Sequence, residues 1–173
     1  MNTKNQEEIT EILSKIENLR AAQVIYQNYS ETYNYLIEKH FNPKMEEFAK
    51  QKGLEYQYER SDELSVSFNL KNPNWKGKCC IGFTFGENRC YYGLKYNSTS
   101  DRISDENKTI IHNHMNESGI VSRKETNWWP FYVHFTNLSL DAWENDIIKS
   151  DNFLNDCKEK IEKLLNAMNG IDL

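Results

Sequence analysis

Residues 54–96 read LEYQYERSDELSVSFNLKNPNWKGKCCIGFTFGENRCYYGLKY. The period of this stretch decides the fold. Leu54, Tyr56 and Tyr58 alternate with Glu55, Gln57 and Glu59, and Leu64, Val66, Phe68 and Leu70 alternate with Ser65, Ser67 and Asn69. Successive side chains of a strand point to opposite faces, so each run predicts a strand with one buried face. Arg60 to Glu63 reads as a hairpin turn. Asn72-Pro73-Asn74 and Lys76-Gly77 form the next loop. Cys80 to Phe85 and Arg89 to Tyr96 make a second hairpin around Gly86-Glu87-Asn88. The connections after Glu59, Leu70 and Phe85 are too short for crossover helices, so neighbouring strands must run antiparallel.

Helical periods flank this meander. From Glu7 to His40, Ile9, Ile12, Ile16, Leu19, Gln23, Tyr26, Ser30, Tyr33 and Ile37 recur in steps of three and four, a heptad seam with polar Gln23 and Ser30 at its middle. Phe41-Asn42-Pro43 breaks it. Asn42 is the expected N-cap of a short helix bearing Met45, Phe48 and Ala49, which Gly53 stops. Asn97 to Glu106 reads as loop. A helix is expected from Asp105 to Glu117, with Ile110, Ile111 and Met115 apolar and Gly119 as terminator. Phe131, Val133 and Phe135 alternate as a fifth strand. Leu140, Trp143, Ile147 and Ile148 mark a helix, and Leu154, Cys157, Ile161, Leu164 and Met168 mark a last one ending at Gly170.

The expected architecture is therefore α+β: an antiparallel sheet of four or five strands in meander order, with the N- and C-terminal helices packed on one face. The chain reads as one domain, with a helical part at 1–53, the meander at 54–97, and helix, aromatic strand and terminal helices at 98–173. The first and last helices both carry apolar seams. They are expected to pack on each other, or to join a second copy of the chain as a homodimer.

Length and composition agree with a single domain. The chain has 173 residues, and its apolar fraction is only 38%, but aromatics reach 13% and supply core volume that aliphatics do not. Twenty-one basic against 26 acidic residues leave a net charge of -5. Phosphate neutralisation supplies much of nucleic-acid affinity, so this balance does not favour a nucleic-acid partner. No apolar stretch is long enough to span a bilayer. The segment Met1 to Glu8 is polar and does not read as a signal peptide. The expected setting is the reducing cytoplasm, with Cys79, Cys80, Cys90 and Cys157 as buried small residues, and with Cys79 and Cys80 on opposite faces of a strand. The sequons at Asn28, Asn97, Asn107, Asn116 and Asn137 then count as chance.

Catalytic signatures are scarce. The chain carries no phosphate-cradling glycine loop, no nucleophile elbow and no metalloprotease helix. His112 and His114 could share a metal on a strand, with Asp105 or Glu117 nearby. On a helix, two residues apart means about 200° around the axis, so the rings diverge. A small metal-dependent hydrolase or nuclease using His112 and His114 is thus the alternative reading. Glu106-Asn107-Lys108 and Asp156-Cys157-Lys158 match an acidic-x-lysine tripeptide, but neither falls on an apolar strand. No cofactor is implied.

The aromatic run Trp128-Trp129-Pro130-Phe131-Tyr132 is the remaining feature. Adjacent residues of an extended chain point oppositely, so one tryptophan is expected under the sheet. The other should edge a groove with Tyr132 and Tyr92. Large rings with few rotatable bonds suit partner anchors. Trp128, Trp129, Tyr132 and Tyr92 are the expected binding residues. A non-catalytic binding or accessory module acting through a protein partner is the leading reading. A small phage or mobile-element inhibitor fits the same size and acidity.

The order of the pieces FNPKMEEFAKQKGLEY, CCIGFTFGENRCYYGLKY, WWPFYVHF and LSLDAWENDIIKS, followed by a terminal helix, resembles the C-terminal region of bacterial proteins of the PD-(D/E)XK nuclease superfamily. The resemblance spans about Tyr33 to Leu173, and Tyr91-Tyr92-Gly93 and Trp128 to Tyr132 are its most specific parts. It places the family's catalytic carboxylates and lysine in a preceding domain, so none is carried over here. It implies an accessory role in a nuclease-associated complex.

Overall fold

The computed structural model describes residues 3–60, 65–86, 90–98, 100–121, 125–134 and 143–171. Three helices come first: α1 (Thr3–Leu13), α2 (Ile16–His40) and α3 (Asn42–Gln51). The strands are β1 (Glu55–Glu59), β2 (Ser65–Lys71), β3 (Cys79–Gly86), β4 (Tyr91–Tyr96) and β5 (Phe131–His134). Helix α4 (Asp105–Glu117) lies between β4 and β5, and a π-helical turn (Trp143–Ile148) precedes α5 (Asn152–Ala167). The five strands form an open antiparallel sheet in chain order, and the expected α+β meander is what the molecule adopts. Residues 61–64 and 87–89, where hairpin turns are expected, are outside the described residues, Leu64 among them, as are Phe135, Asn137 and Leu140.

Register follows from the alternation. Tyr58 pairs with Phe68, Phe68 with Phe83, Phe83 with Tyr92, and Leu70 with Ile81, which pairs with Leu94, itself opposite Phe131. These residues share one face, here called inner. Phe68 stacks on Phe83 with ring centroids 4.6 Å apart. Phe41, between α2 and α3, lies 5.4 Å from Phe68, and Phe153 of α5 lies 5.0 Å from Phe85. Aromatic rings thus bolt the helices to the sheet, which is how a chain poor in aliphatics builds its core. Helix α4 adds Ile111 and Met115, and α5 adds Leu154, Cys157, Ile161 and Leu164, all buried.

Three expectations are corrected. First, α1 does not pack on α5. Along residues 5–28 only Leu13 and Ala22 are partly covered. Ile9, Ile12, Ile16, Leu19, Val24 and Ile25 are exposed, and Tyr26 is 85% exposed. Lys15 adopts an extended conformation and interrupts the helix between α1 and α2, so the heptad seam is not carried by one straight rod. Only the last turns of α2 reach the core, where Asn34 and Ile37 are buried. The side chains of Ser30 and Tyr33 lie outside the described residues. Second, Asn42 is not the cap of α3. The helix includes it, with Phe41 as the preceding residue, and the Asn42 side-chain oxygen accepts the Tyr56 hydroxyl at 2.6 Å. A tertiary hydrogen bond to β1 has displaced the local capping role. Third, of the helix expected around Leu140 to Ile148 the described part, Trp143–Ile148, is a π-helical turn, and the residues before it lie outside the described ones.

All four cysteines are free and buried. Cys79 faces the core, whereas the Cys80 thiol lies within 3.7 Å of the Lys95 carbonyl on the opposite face. Burial pushes the Cys79 thiol up to about 12 and the Cys80 thiol up to about 11, and it raises Cys157 well above its ordinary value. Thiolate is the reactive form. DTNB in mildly alkaline buffer is therefore expected to find no fast-reacting thiol in the native protein and all four after denaturation. A fast native thiol would contradict this packing.

Candidate functional site

The outer face of the sheet carries the other parity: Ser67, Asn69, Cys80, Gly82, Thr84, Tyr91, Gly93, Lys95, Tyr132 and His134. Gly82 and Gly93 pair across β3 and β4, and Gly93 in turn faces Tyr132 on β5. A Cβ on Gly82 would sit 2.7 Å from Cη2 of Trp129. The indole therefore lies flush on bare backbone. A Cβ on Gly93 would sit 2.2 Å from the Phe131 carbonyl oxygen, so β4 and β5 approach closely there.

Segment 125–130 holds the two tryptophans. The Thr126 hydroxyl accepts the backbone N–H of Trp128 at 3.2 Å and of Trp129 at 3.1 Å. The Thr126 N–H donates to the Trp129 carbonyl, and the Tyr96 N–H donates to the Trp128 carbonyl, both at 2.8 Å. This fixed turn, rather than an extended strand, sets the two side chains. Trp129 is 6% exposed and Trp128 is 50% exposed. One buried and one exposed tryptophan agree with the sequence reading, but Trp129 is buried against the outer face and not under the helices.

Around Trp129 the rings meet edge to face. Tyr91 is 5.1 Å from it, Tyr132 is 6.4 Å from it, and Tyr132 and Tyr91 are 5.7 Å apart. His134 packs 5.8 Å from Tyr132. Together with Thr84, Lys95, Thr126 and Trp128 these residues line a groove of about 850 Å³. None of the described residues lining it is acidic. The Lys95 ammonium lies 3.4 Å from both Glu59 and Asn69, and Asn69 donates to Glu59 at 2.7 Å. Glu59 belongs to edge strand β1 and holds the lysine from beside the groove.

Of the expected binding residues, Trp128, Trp129 and Tyr132 come together. Tyr92 does not join them. It is buried on the inner face, stacked 5.4 Å from Phe83. Its neighbour Tyr91 takes the place foreseen for it. Tyr92 shares parity with core residue Leu94, and that alternation was the available signal. Thr84, Lys95, Thr126 and His134 carried no local signature. They become a set only once the register is known.

His112 and His114 fall on α4 and do not converge. His112 Nε2 lies 3.2 Å from the Pro130 carbonyl, and His114 Nδ1 lies 3.0 Å from the Ala167 carbonyl. Their rings brace α4 against the β5 approach and against the end of α5. Among the described residues no three His, Cys, Asp or Glu side chains gather as a metal site. Both acidic-x-lysine tripeptides are helical. Lys108 lies 3.4 Å from Asp105 and 3.7 Å from Glu125, and Asp156 pairs with Lys160 one turn on.

A second hollow of about 460 Å³ adjoins the groove, with Thr126 lining both. Tyr96, Arg102, Lys108, Glu125 and Asn127 complete it. The Arg102 guanidinium stacks 4.8 Å above the Tyr96 ring and donates to the Asn127 carbonyl at 2.8 Å. The Ile103 amide approaches the buried Tyr96 hydroxyl, but no described group completes a hydrogen bond with it. Compared with protein-family models, curated proteins and solved structures, the chain matches none.

Proposed function

We propose that the groove on the outer sheet face is a recognition site for a segment of another protein, and that the chain acts as a non-catalytic module. The observation that carries this reading is the contrast at 128–129. A buried Trp129 builds a rigid aromatic wall on Gly82, and beside it Trp128 stands half exposed on a hydrogen-bonded turn. A large ring fixed by its backbone offers contact area at little entropic cost. The divergence of His112 and His114 supports a binding role over metal-dependent hydrolysis. A nuclease-associated complex is the setting that the sequence resemblance implies.

Affinity capture from the native host, with wild-type protein and Trp128→Ala as parallel baits, tests the reading. A protein held by the wild type and lost from Trp128→Ala is expected, with both baits equally folded by circular dichroism. Equal retention on both baits would refute the groove as the working surface.

A further inference from the structure

We propose that the segment bound at this groove carries an acidic side chain next to its apolar anchor, and that Arg102 is the residue that takes that carboxylate. The inference rests on the groove reading above and adds the chemistry of the occupant.

Arg102 is placed by three contacts. Its guanidinium carbon lies over the Tyr96 ring, 4.8 Å from the ring centre. Its Nη1 donates to the Asn127 carbonyl at 2.8 Å and lies 3.4 Å from the Asp101 carbonyl. Asn127 immediately precedes Trp128, so the guanidinium is tied to the same turn that presents the exposed indole. Tyr96 is itself buried, and its backbone N–H holds the Trp128 carbonyl. Platform, cation and anchor are thus one rigid unit.

The charge of Arg102 is unspent. Both oxygens it meets are neutral carbonyls, and among the described residues no carboxylate lies within ion-pair distance of it. A guanidinium has five N–H donors in a fork that matches a carboxylate, and charge-assisted pairs of this kind are the strong ones. The neighbouring cation differs: Lys108 already lies between Asp105 and Glu125. Glu125 lines the same hollow, but its charge is turned to that lysine. On the other side of Trp128, the described groove lining offers Lys95, hydroxyls, an imidazole and an indole, and no carboxylate. A basic or neutral segment would leave the Arg102 guanidinium without a carboxylate, whereas an acidic one complements it. The chain's overall charge of -5 opposes an acidic partner at long range, so the attraction must be local and short-ranged.

Selection of random displayed dodecapeptides on immobilised wild-type protein, Arg102→Gln and Trp128→Ala tests the proposal. Glutamine keeps a donor for the Asn127 carbonyl, so the turn should stay folded, and unchanged thermal unfolding verifies that. The wild type is expected to enrich peptides in which an aromatic or large apolar residue neighbours Asp or Glu. Arg102→Gln should retain the apolar preference and lose the acidic one, and Trp128→Ala should enrich neither. In an enriched peptide, Asp→Asn or Glu→Gln should weaken binding to the wild type about tenfold and binding to Arg102→Gln hardly at all. Apolar peptides with no acidic bias, or a bias that survives Arg102→Gln, would overturn the role of Arg102 while leaving the groove reading standing. No enrichment on the wild type beyond that on Trp128→Ala would overturn both.

Discussion

Trp129→Ala is expected to lower stability by about 3–5 kcal/mol, the usual cost of removing a buried aromatic ring. For a domain of this length that is a fall in Tm on the order of 10 °C. The loss is large because the indole is not replaceable from its surroundings. It lies on Gly82, which has no side chain to fill the space, and Tyr91 and Tyr132 meet it at steep angles rather than stacked on it. Trp128→Ala, one residue away, should shift Tm by no more than a degree or two, since half of that side chain is already in water. Differential scanning calorimetry of the two variants decides the matter. Equal losses would mean that both rings are core, and the groove would lose its anchor.

Gly93→Ala should be at least as damaging, by a different route. The added methyl group would fall 2.2 Å from the Phe131 carbonyl oxygen and 2.7 Å from the Tyr132 Cα. These are backbone atoms of a paired strand and cannot rotate aside. Either β5 moves off β4 or the pairing distorts, at a cost of about 3 kcal/mol or more. Gly82→Ala provides the control. Its methyl group would collide with the outer edge of the Trp129 ring at 2.7 Å and touch Lys95 Cβ at 3.1 Å, contacts made by side chains. Urea titration should therefore rank Gly93→Ala well below Gly82→Ala in stability. Tryptophan emission should shift in both: Gly82→Ala presses on Trp129 directly, and Gly93→Ala displaces Tyr132, which packs against it. The reverse order would show that β5 is free to retreat.

The inner half of the sheet was legible in the sequence because its alternation is nearly unbroken. Leu54, Tyr56, Tyr58, Val66, Phe68, Leu70, Phe83, Phe85, Leu94 and Phe131 all follow one parity, and β-strands impose that period. Helix α4 was legible from Ile110, Ile111 and Met115 and from Gly119 at its end, and the structure adds the start: the Ser104 hydroxyl accepts the Asn107 N–H. The groove was legible only in part. Trp128 and Trp129 stand out by composition, but their unequal exposure comes from the Thr126 hydroxyl binding both amides, a turn that no period announces. Tyr92 shares the parity of Leu94 and so faces inward, which leaves Tyr91 on the outer face. The seam from Ile9 to Tyr26 looked like a packing face, and it stays exposed because an interruption at Lys15 and polar Gln23 leave no continuous surface for the core to receive. Asn42 shows the same limit on a smaller scale: a residue suited to capping was claimed by Tyr56, fourteen positions away.

The meander order has a consequence for how the molecule assembles. Strands β1 to β4 pair only with their neighbours in sequence, across short connections, so each of those hairpins closes a small loop at low entropic cost. β5 is different. The whole of segment 97–130, with α4 inside it, must be placed before Phe131 can meet Leu94. Closing that long connection is expected to make docking of β5 a late event in folding, and β5 supplies Tyr132 and His134 to the wall that Trp129 shares. The outer groove is then expected to form late and to open before the pairing of β2 with β3. In hydrogen exchange, the amides of β5 should open at lower free energy than those of β2 and β3. A cell could silence such a site by loosening one short strand, with the rest of the sheet left standing.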